Sequence, residues 1–451
     1  MKRFTLLFLL FICSQNLNGQ QITTPSTALT AYLNNNDATQ AWEVHDTYPL
    51  GQSTVYSLFF ISQKWQGILW KHELLIFVPN EIKHDGALLF ITGSAVENGL
   101  PKYSKKDDGT SQIMEQLAQQ NKAVVAVLRQ VPNQPLYDGL IEDALISYTL
   151  NEFKKSKDYS WPLLFPMVKS AIKAMDVVQE FSSVKLKKET TRFLVSGASK
   201  RGWTTWLTGA SQDPRVVAIA PMVIDMLNMP VTLDYQKQLY NEYSEEINDY
   251  VNLEIPQAIH SEFGSAVVQM IDPYSYRDKL TVPKLILMGT NDPYWTLDAI
   301  KHYINEIPGN NMLHYVPNAG HDLGDKTQAF GALNAYFSLM LNKEEYPVAT
   351  WNLTEKGNTI QLNVMAHPSN LIGARLWETA SDTRDFRKSK WSSSELPLNS
   401  KNKSAIAVKI KKPQKGYKGF YVDLIYKDPK GEKYSISTRT YVSDKKQVFV
   451  K

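Results

Sequence analysis

The stretch Phe193-Leu194-Val195-Ser196-Gly197-Ala198-Ser199-Lys200-Arg201-Gly202-Trp203 constrains this chain more than any other. An apolar strand runs into Gly-x-Ser, and a segment of helical character follows with no linker. Such a sharp reversal forces the serine into a strained turn and leaves no room for side chains packed beneath it. Gly197 and Gly202 flank the turn accordingly, and the hydroxyl of Ser199 is raised above the end of a buried strand. The usual spacing puts the second glycine two residues after the serine. Here Arg201 holds that place and the glycine comes one step later. Taken alone, the short motif also fits a strand-to-helix turn with no chemistry.

The surrounding chain repeats the strand-then-helix pattern. Ala87–Thr92, which ends at Gly93, reads as a strand buried on both faces, as do Ala123–Leu128, Phe193–Ser196, Val216–Val223, Leu285–Gly289 and Leu313–Val316. Ser111–Gln120, Trp161–Phe181 and the segment from the elbow to Gly209 have helical spacing. This alternation predicts a mostly parallel sheet covered on both faces. Ser53–Gln63 and Trp65–Pro79 read as paired strands, and Gln21–Gly51 as an arm anchored by Trp42. Residues 226–280, rich in Tyr, Glu, Gln and Asn, read as a helical cap inserted over the serine.

Beyond Tyr346-Pro347 the texture changes to short alternating segments: Ile360–Met365, Gly373–Trp377, Ala405–Ile410, Gly419–Tyr426 and Tyr434–Tyr441. Lys356-Gly357-Asn358 and Asp428-Pro429-Lys430-Gly431 supply turns between them. The expected architecture is α/β: an α/β-hydrolase-like, mostly parallel sheet with a helical cap over residues 20–345, then a C-terminal all-β sandwich over 346–451. A chain of 451 residues with 43% apolar content has the length and the core for two such units.

Lys2 and Arg3, the apolar run Phe4–Cys13 and the small residue Gly19 read as an export signal over residues 1–19, with a periplasmic or secreted mature protein. The run is too short to span a bilayer. Lipid attachment at Cys13 is the second reading, disfavoured by the bulky Ile12 before it. Cleavage would remove the only cysteine, excluding disulfides and a thiol nucleophile. It would also take the formal charge from +4 to +2. So near a balance gives no basis for a general nucleic-acid binder.

A serine hydroxyl needs a base beside it, and the base needs an orienting acid. In this fold class the chain order is serine, acid, histidine. Thr281–Asp292 runs from a strand into a loop carrying Asp292, and Tyr315–His321 runs from a strand through Gly320 to His321. Of the eight histidines, His321 alone combines the order, the loop after a strand and the adjacent glycine. Asp292 is the first choice of acid. Asp225, after the strand that follows the elbow, is the alternative, and Asp298 reads as a helix cap.

Backbone N–H groups of Lys200 and of the Gly93–Ser94 loop are the candidate oxyanion donors. Arg201 either grips an acidic substrate or pairs with a buried carboxylate as scaffold. Tyr294 and Trp295, with Tyr235, Tyr240 and Tyr243, either meet the substrate or pack the cap on its body. The chemistry calls for no metal and no cofactor.

Several longer motifs resemble one family. They are Trp161-Pro162-Leu163-Leu164-Phe165-Pro166-Met167-Val168, Gly197-Ala198-Ser199-Lys200-Arg201-Gly202-Trp203, Gly289-Thr290-Asn291-Asp292-Pro293-Tyr294-Trp295 and Asn318-Ala319-Gly320-His321. In the C-terminal part they continue with Trp377, Arg384-Asp385-Phe386-Arg387, Trp391 and Gly416-Tyr417-Lys418-Gly419-Phe420-Tyr421. Together they resemble the PhoPQ-activated pathogenicity-related protein family across most of the mature chain. The resemblance implies an exported α/β-hydrolase-like protein with a C-terminal β-sandwich. It implies no particular substrate. The elbow by itself is also similar to that of glucuronoyl esterases, which implies an ester of a uronic acid.

The expected function is an exported serine hydrolase acting on a small-molecule, glycan or peptide ester or amide. The alternative is a non-enzymatic binding or signalling protein on a hydrolase scaffold. In the latter case the lysines Lys401, Lys403, Lys409, Lys411, Lys412, Lys415 and Lys418 offer contact with an anionic surface, or form a solvated face.

Overall fold

The computed structural model describes residues 22–106, 108–399 and 401–451, and the expected export signal lies outside them. Along the chain the strands are β1 (Ala41–Leu50), β2 (Ser53–Trp65), β3 (Ile68–Pro79), β4 (Gly86–Ile91), β5 (Val96–Glu97), β6 (Leu100–Pro101), β7 (Val124–Leu128), β8 (Arg192–Ala198), β9 (Val216–Met222), β10 (Lys284–Gly289) and β11 (Asn311–Val316). The strands of the C-terminal part are β12 (Thr350–Lys356), β13 (Thr359–Met365), β14 (Leu371–Ser381), β15 (Ser392–Leu396), β16 (Ala405–Lys411), β17 (Tyr417–Lys427), β18 (Lys433–Ser437) and β19 (Tyr441–Ser443). The main sheet has the order β1-β2-β3-β7-β4-β8-β9-β10-β11-β18-β17-β14-β15. From β7 through β11 neighbours run parallel. At both ends the pairing is antiparallel. This is the topology of an α/β-hydrolase, extended at its far edge.

The parallel strands are apolar runs because both their faces are covered. Side chains alternate across the sheet. Leu89, Ala126 and Phe193 pack with helices α4 (Leu164–Phe181) and α5 (Lys200–Ala210). Leu88, Val125 and Leu194 face the other way, toward α2 (Gly109–Asn121) and α9 (Thr327–Asn342). A fully buried Leu or Phe contributes roughly 2 kcal/mol, so this alternation fixes the register of each strand. Between β9 and β10 the chain leaves the sheet to form α6 (Met229–Tyr240), α7 (Asn248–Val251), α8 (Glu262–Ile271) and short 3-10 turns.

Two segments differ from the sequence-based expectations. Residues 41–50, read as part of an arm, form the edge strand β1. Its apolar residues Trp42, Val44, Tyr48 and Leu50 alternate with polar ones, interrupted at Asp46, and its backbone pairs with β2 from Ala41 to Leu50. The second concerns the C-terminal strands. They form two layers, with β12-β13-β16 packed through Ile360, Leu362, Ile406 and Val408 against Leu376, Val422 and Leu424. The larger layer, however, is not a separate sheet. Leu313 of β11 pairs with Ser437 of β18, so the parallel sheet runs on into the sandwich. The pairing covers an edge that would otherwise be open.

Of the lysines in the basic stretch, Lys412 is buried on Glu355 at 2.6 Å and Lys418 bonds Glu378 at 2.8 Å. Lys401, Lys403, Lys409, Lys411 and Lys415 are exposed.

Candidate active site

Ser199 sits between β8 and α5 with φ +59° and ψ −130°, a conformation that costs a non-glycine residue about 1–3 kcal/mol. Its N–H donates to the Met222 carbonyl at 3.0 Å and its carbonyl accepts from Trp203 at 2.9 Å, so both neighbours hold the turn. The flanking glycines have the expected steric cause. A Cβ on Gly202 would lie 2.5 Å from the Met222 carbonyl oxygen, and one on Gly197 would lie 2.9 Å from Arg201.

The same contacts explain the shifted glycine. The Arg201 side chain runs away from the elbow toward Gly93, where any Cβ would collide with its guanidinium. There its Nε donates to the Val131 carbonyl, and Nη1 and Nη2 donate to the two oxygens of Glu142 at 2.7 and 2.6 Å. Arg201 is 9% exposed. The substrate-binding reading of Arg201 therefore gives way to the scaffold reading, because its donors are engaged within the protein.

Lys200, 8% exposed, pairs with Glu142 at 2.9 Å and Asp143 at 3.0 Å. Tyr250 donates to the other oxygen of Asp143 at 2.9 Å. Burial would raise the Glu142 carboxyl, but Arg201 and Lys200 prevail and hold it down at about 2. The two cations after Ser199 are thus neutralised by two carboxylates at the start of α3 (Glu142–Ser156). Nothing local in the sequence marks Glu142 and Asp143 as their partners.

His321, Asp292 and Ser199 come together in one hydrogen-bonded line. The His321 Nδ1–Asp292 Oδ2 distance is 2.8 Å, and the His321 Nε2–Ser199 Oγ distance is 2.8 Å. A carboxylate only accepts, so Nδ1 carries the proton and Nε2 accepts from the serine hydroxyl. Asp292 is buried and its other oxygen accepts from the Tyr294 N–H at 2.9 Å. The Tyr294 ring stacks on His321 with centroids 4.0 Å apart. Trp295 donates through Nε1 to the Val223 carbonyl at 3.2 Å.

The loops carrying Asp292 and His321 are stitched together. Asn291 N–H donates to the Ala319 carbonyl at 2.9 Å, and Asn318 N–H donates to Thr290 Oγ1 at 2.9 Å. The C-terminal part holds both. Asn291 Nδ2 donates to the carbonyls of Phe386, Arg387 and Ser389 at 3.1, 3.2 and 2.7 Å. Asn318 exchanges bonds with the Trp391 backbone at 2.7 and 3.1 Å. Sequence reasoning passed over Asn291 and Asn318; their adjacency to the acid and to the base loop was the available signal.

Asp225 does not reach His321. It is buried behind Asp292, accepts from the Tyr303 hydroxyl at 2.7 Å, and is pushed up to about 8 by burial against the pull of that bond. Asp298 caps no helix through its side chain. It accepts from Tyr235 at 2.9 Å and Lys301 at 2.8 Å, with Arg384 beside them.

Lys200 supplies the first N–H of α5, which has no intrahelical acceptor. The Thr92 carbonyl just before Gly93 accepts from Val131 at 3.2 Å, and Ser94 Oγ lies 3.5 Å from the Lys102 carbonyl. The N–H groups of Gly93 and Ser94 have no acceptor among the described residues.

A model of the PhoPQ-activated pathogenicity-related protein family matches residues 29–387. The chain belongs to this family. Its match ends at Arg387, within the loop that holds Asn291. A curated relative, autocrine proliferation repressor protein A of Dictyostelium discoideum, is 28% identical over 434 residues, covering 89% of this chain and 86% of the relative. Among solved structures, acetyl xylan esterase 1 from Thermoanaerobacterium sp. JW/SL YS485 aligns at TM-score 0.47 and 17% identity over 70% of this chain and 93% of its own. A glucuronoyl esterase from Solibacter usitatus aligns at TM-score 0.42 and 11% identity over 70% and 91%.

Proposed function

We propose that this family member is an exported serine hydrolase that cleaves an ester or amide, with Ser199 as nucleophile, His321 as base and Asp292 as orienting acid. The observation that carries the reading is the 2.8 Å contact of Ser199 Oγ with His321 Nε2, continued at 2.8 Å to Asp292. As Ser199 attacks the carbonyl, His321 takes its proton. Asp292 then stabilises the imidazolium, and the stacked Tyr294 keeps the ring in plane with its partners. The Lys200 N–H donates to the oxyanion, with a second donor from Gly93 or Ser94; one such donor is worth about 10²–10³ in rate. His321 returns the proton to the leaving group, and water repeats the sequence on the acyl-enzyme. Export rests on Lys2, Arg3 and the apolar run that follows.

The test is labelling by a fluorophosphonate probe. Labelling of the wild type, lost in Ser199→Ala, supports the assignment; equal turnover of an active substrate by Ser199→Ala would rule it out.

A second reading is a binding or signalling protein on a hydrolase scaffold, which the name of the Dictyostelium discoideum relative favours. In that case the exposed lysines of the C-terminal part are a candidate anionic contact. Full biological activity of Ser199→Ala, with turnover abolished, would favour it. The uronic-acid reading, which rests on the basic residue after Ser199, is weakened by the pairing of Lys200 and Arg201 with Glu142 and Asp143, which leaves neither side chain free to meet a substrate.

A further inference from the structure

Resting on the hydrolase reading, we infer that the acyl half of the substrate is an uncharged apolar chain of several carbons, bound between Ser199 and the cap.

A narrow pocket of about 60 Å³ begins at Ser199 and Lys200 and runs over Trp203. Its far wall comes from the cap: Met226, Met229, Leu233, Ile247, Ile255 and Ile259. Seven of the wall side chains just described are aliphatic or indole surfaces with nothing to offer a hydroxyl or a charge. The charged groups that touch the pocket are already paired. Asp143 accepts from Tyr250 at 2.9 Å and pairs with Lys200 at 3.0 Å, and Lys200 also meets Glu142 at 2.9 Å. A carboxylate entering here would have to displace one of these pairs and lose its own hydration. A sugar would leave its hydroxyls without partners.

The position of His321 decides which half of the substrate the pocket takes. His321 protonates the leaving group, so the leaving group must lie on its side of the scissile carbon. Ser199, Lys200, Tyr294 and Trp295 line the pocket, whereas His321 does not. Tyr294, which stacks on His321, stands between His321 and the pocket, and on this arrangement the pocket is assigned to the acyl half. Its apolar wall is provided by α6 and the segments around α7, so the cap sets the acyl specificity of the site.

The test uses p-nitrophenyl acetate, butyrate and hexanoate, with p-nitrobenzyl glucuronate, a neutral ester whose acyl half carries sugar hydroxyls, as the polar comparison. Each methylene buried in the pocket is expected to raise kcat/KM roughly four-fold, so hexanoate should exceed acetate by well over ten-fold. Ile255→Trp fills the pocket and should lower the hexanoate-to-acetate ratio by about ten-fold or more. Alkyl fluorophosphonates give the same ordering without turnover: the octyl probe should label Ser199 faster than the ethyl probe. A flat chain-length profile, a preference for the glucuronate ester, or an unchanged ratio in Ile255→Trp would overturn the inference while Ser199-dependent hydrolysis kept the hydrolase reading intact. No turnover of any ester, with no labelling at Ser199, would overturn both.

Discussion

Replacing Asp225 by Asn should stabilise the protein, and increasingly so as pH rises. Asp225 is 4% exposed and shares a small cavity with Asp292, Thr296 and Tyr315. Burial, then the charges of Asp292 and Asp298, push its carboxyl from 3.8 up to about 8, against the bond from Tyr303. Between those two values the native state holds a proton that the unfolded chain has released. The native state is then the more protonated, so stability falls as pH rises. The slope is about 1.4 kcal/mol per pH unit, which accumulates to about 4 kcal/mol at pH 7. That is a ceiling, because some water penetrates and relaxation reduces the cost.

Asn is isosteric, accepts the same Tyr303 hydroxyl, and does not titrate. The measurement is urea unfolding of both proteins from pH 5 to pH 8. The difference in unfolding free energy, variant minus wild type, should grow by about 1.4 kcal/mol per unit from pH 5 to pH 7 and flatten toward pH 8. Parallel curves across that range would show that Asp225 is ionised in the native state and would refute the reasoning. The same variant separates the two candidate acids. Asp225→Asn should keep substantial turnover, whereas Asp292→Asn, which loses the correct histidine tautomer, should fall by about 10⁴-fold.

Two further substitutions probe the framework of the site. Gly202→Ala would place a methyl 2.5 Å from the Met222 carbonyl oxygen; it should slow fluorophosphonate labelling of Ser199 by about 10²-fold, and wild-type labelling would discount the steric account of the elbow. Asn291→Ala removes three bonds to the carbonyls of Phe386, Arg387 and Ser389; it should cost about 2–3 kcal/mol in urea unfolding and lower kcat by about ten-fold, and retention of both would show that the C-terminal loop does not position Asp292.

The legible parts of this molecule are those where burial writes a pattern into the chain. Strands such as Ala87–Ile91 are apolar throughout because helices cover both faces, and the elbow announces itself because sterics dictate its glycines. Ser199, Asp292 and His321 followed from chain order and from loops at strand ends. What stayed hidden depends on contacts between distant residues that leave no periodic trace. The partner of Arg201 lies 59 residues away at Glu142, in a segment that carries no motif of its own. Strand β1 carries apolar residues at Trp42, Val44, Tyr48 and Leu50, but Asp46 interrupts the alternation and Pro49 reads as loop punctuation. Asn291 bonds carbonyls, and a carbonyl is the same on every residue type.

The shifted glycine shows how one hidden contact changes the meaning of a visible motif. At the elbow the arginine looked like an anomaly beside the nucleophile. It is accommodated because Gly93 and Gly197 lack the side chains that would block it, and it draws Glu142 into place. Glu142 and its neighbour Asp143 then take up Lys200, and Asp143 orders Tyr250 of the cap. The departure from the usual spacing is thus one end of a chain of contacts that joins the nucleophile turn to the wall of the acyl pocket. The C-terminal part closes the other side in the same manner. The loop from Phe386 to Trp391 binds Asn291 and Asn318, while β18 pairs with β11, the strand that leads to His321. Ser199 is therefore positioned from within the parallel sheet, whereas the loops of Asp292 and His321, although they belong to the N-terminal part, are also held by the C-terminal part.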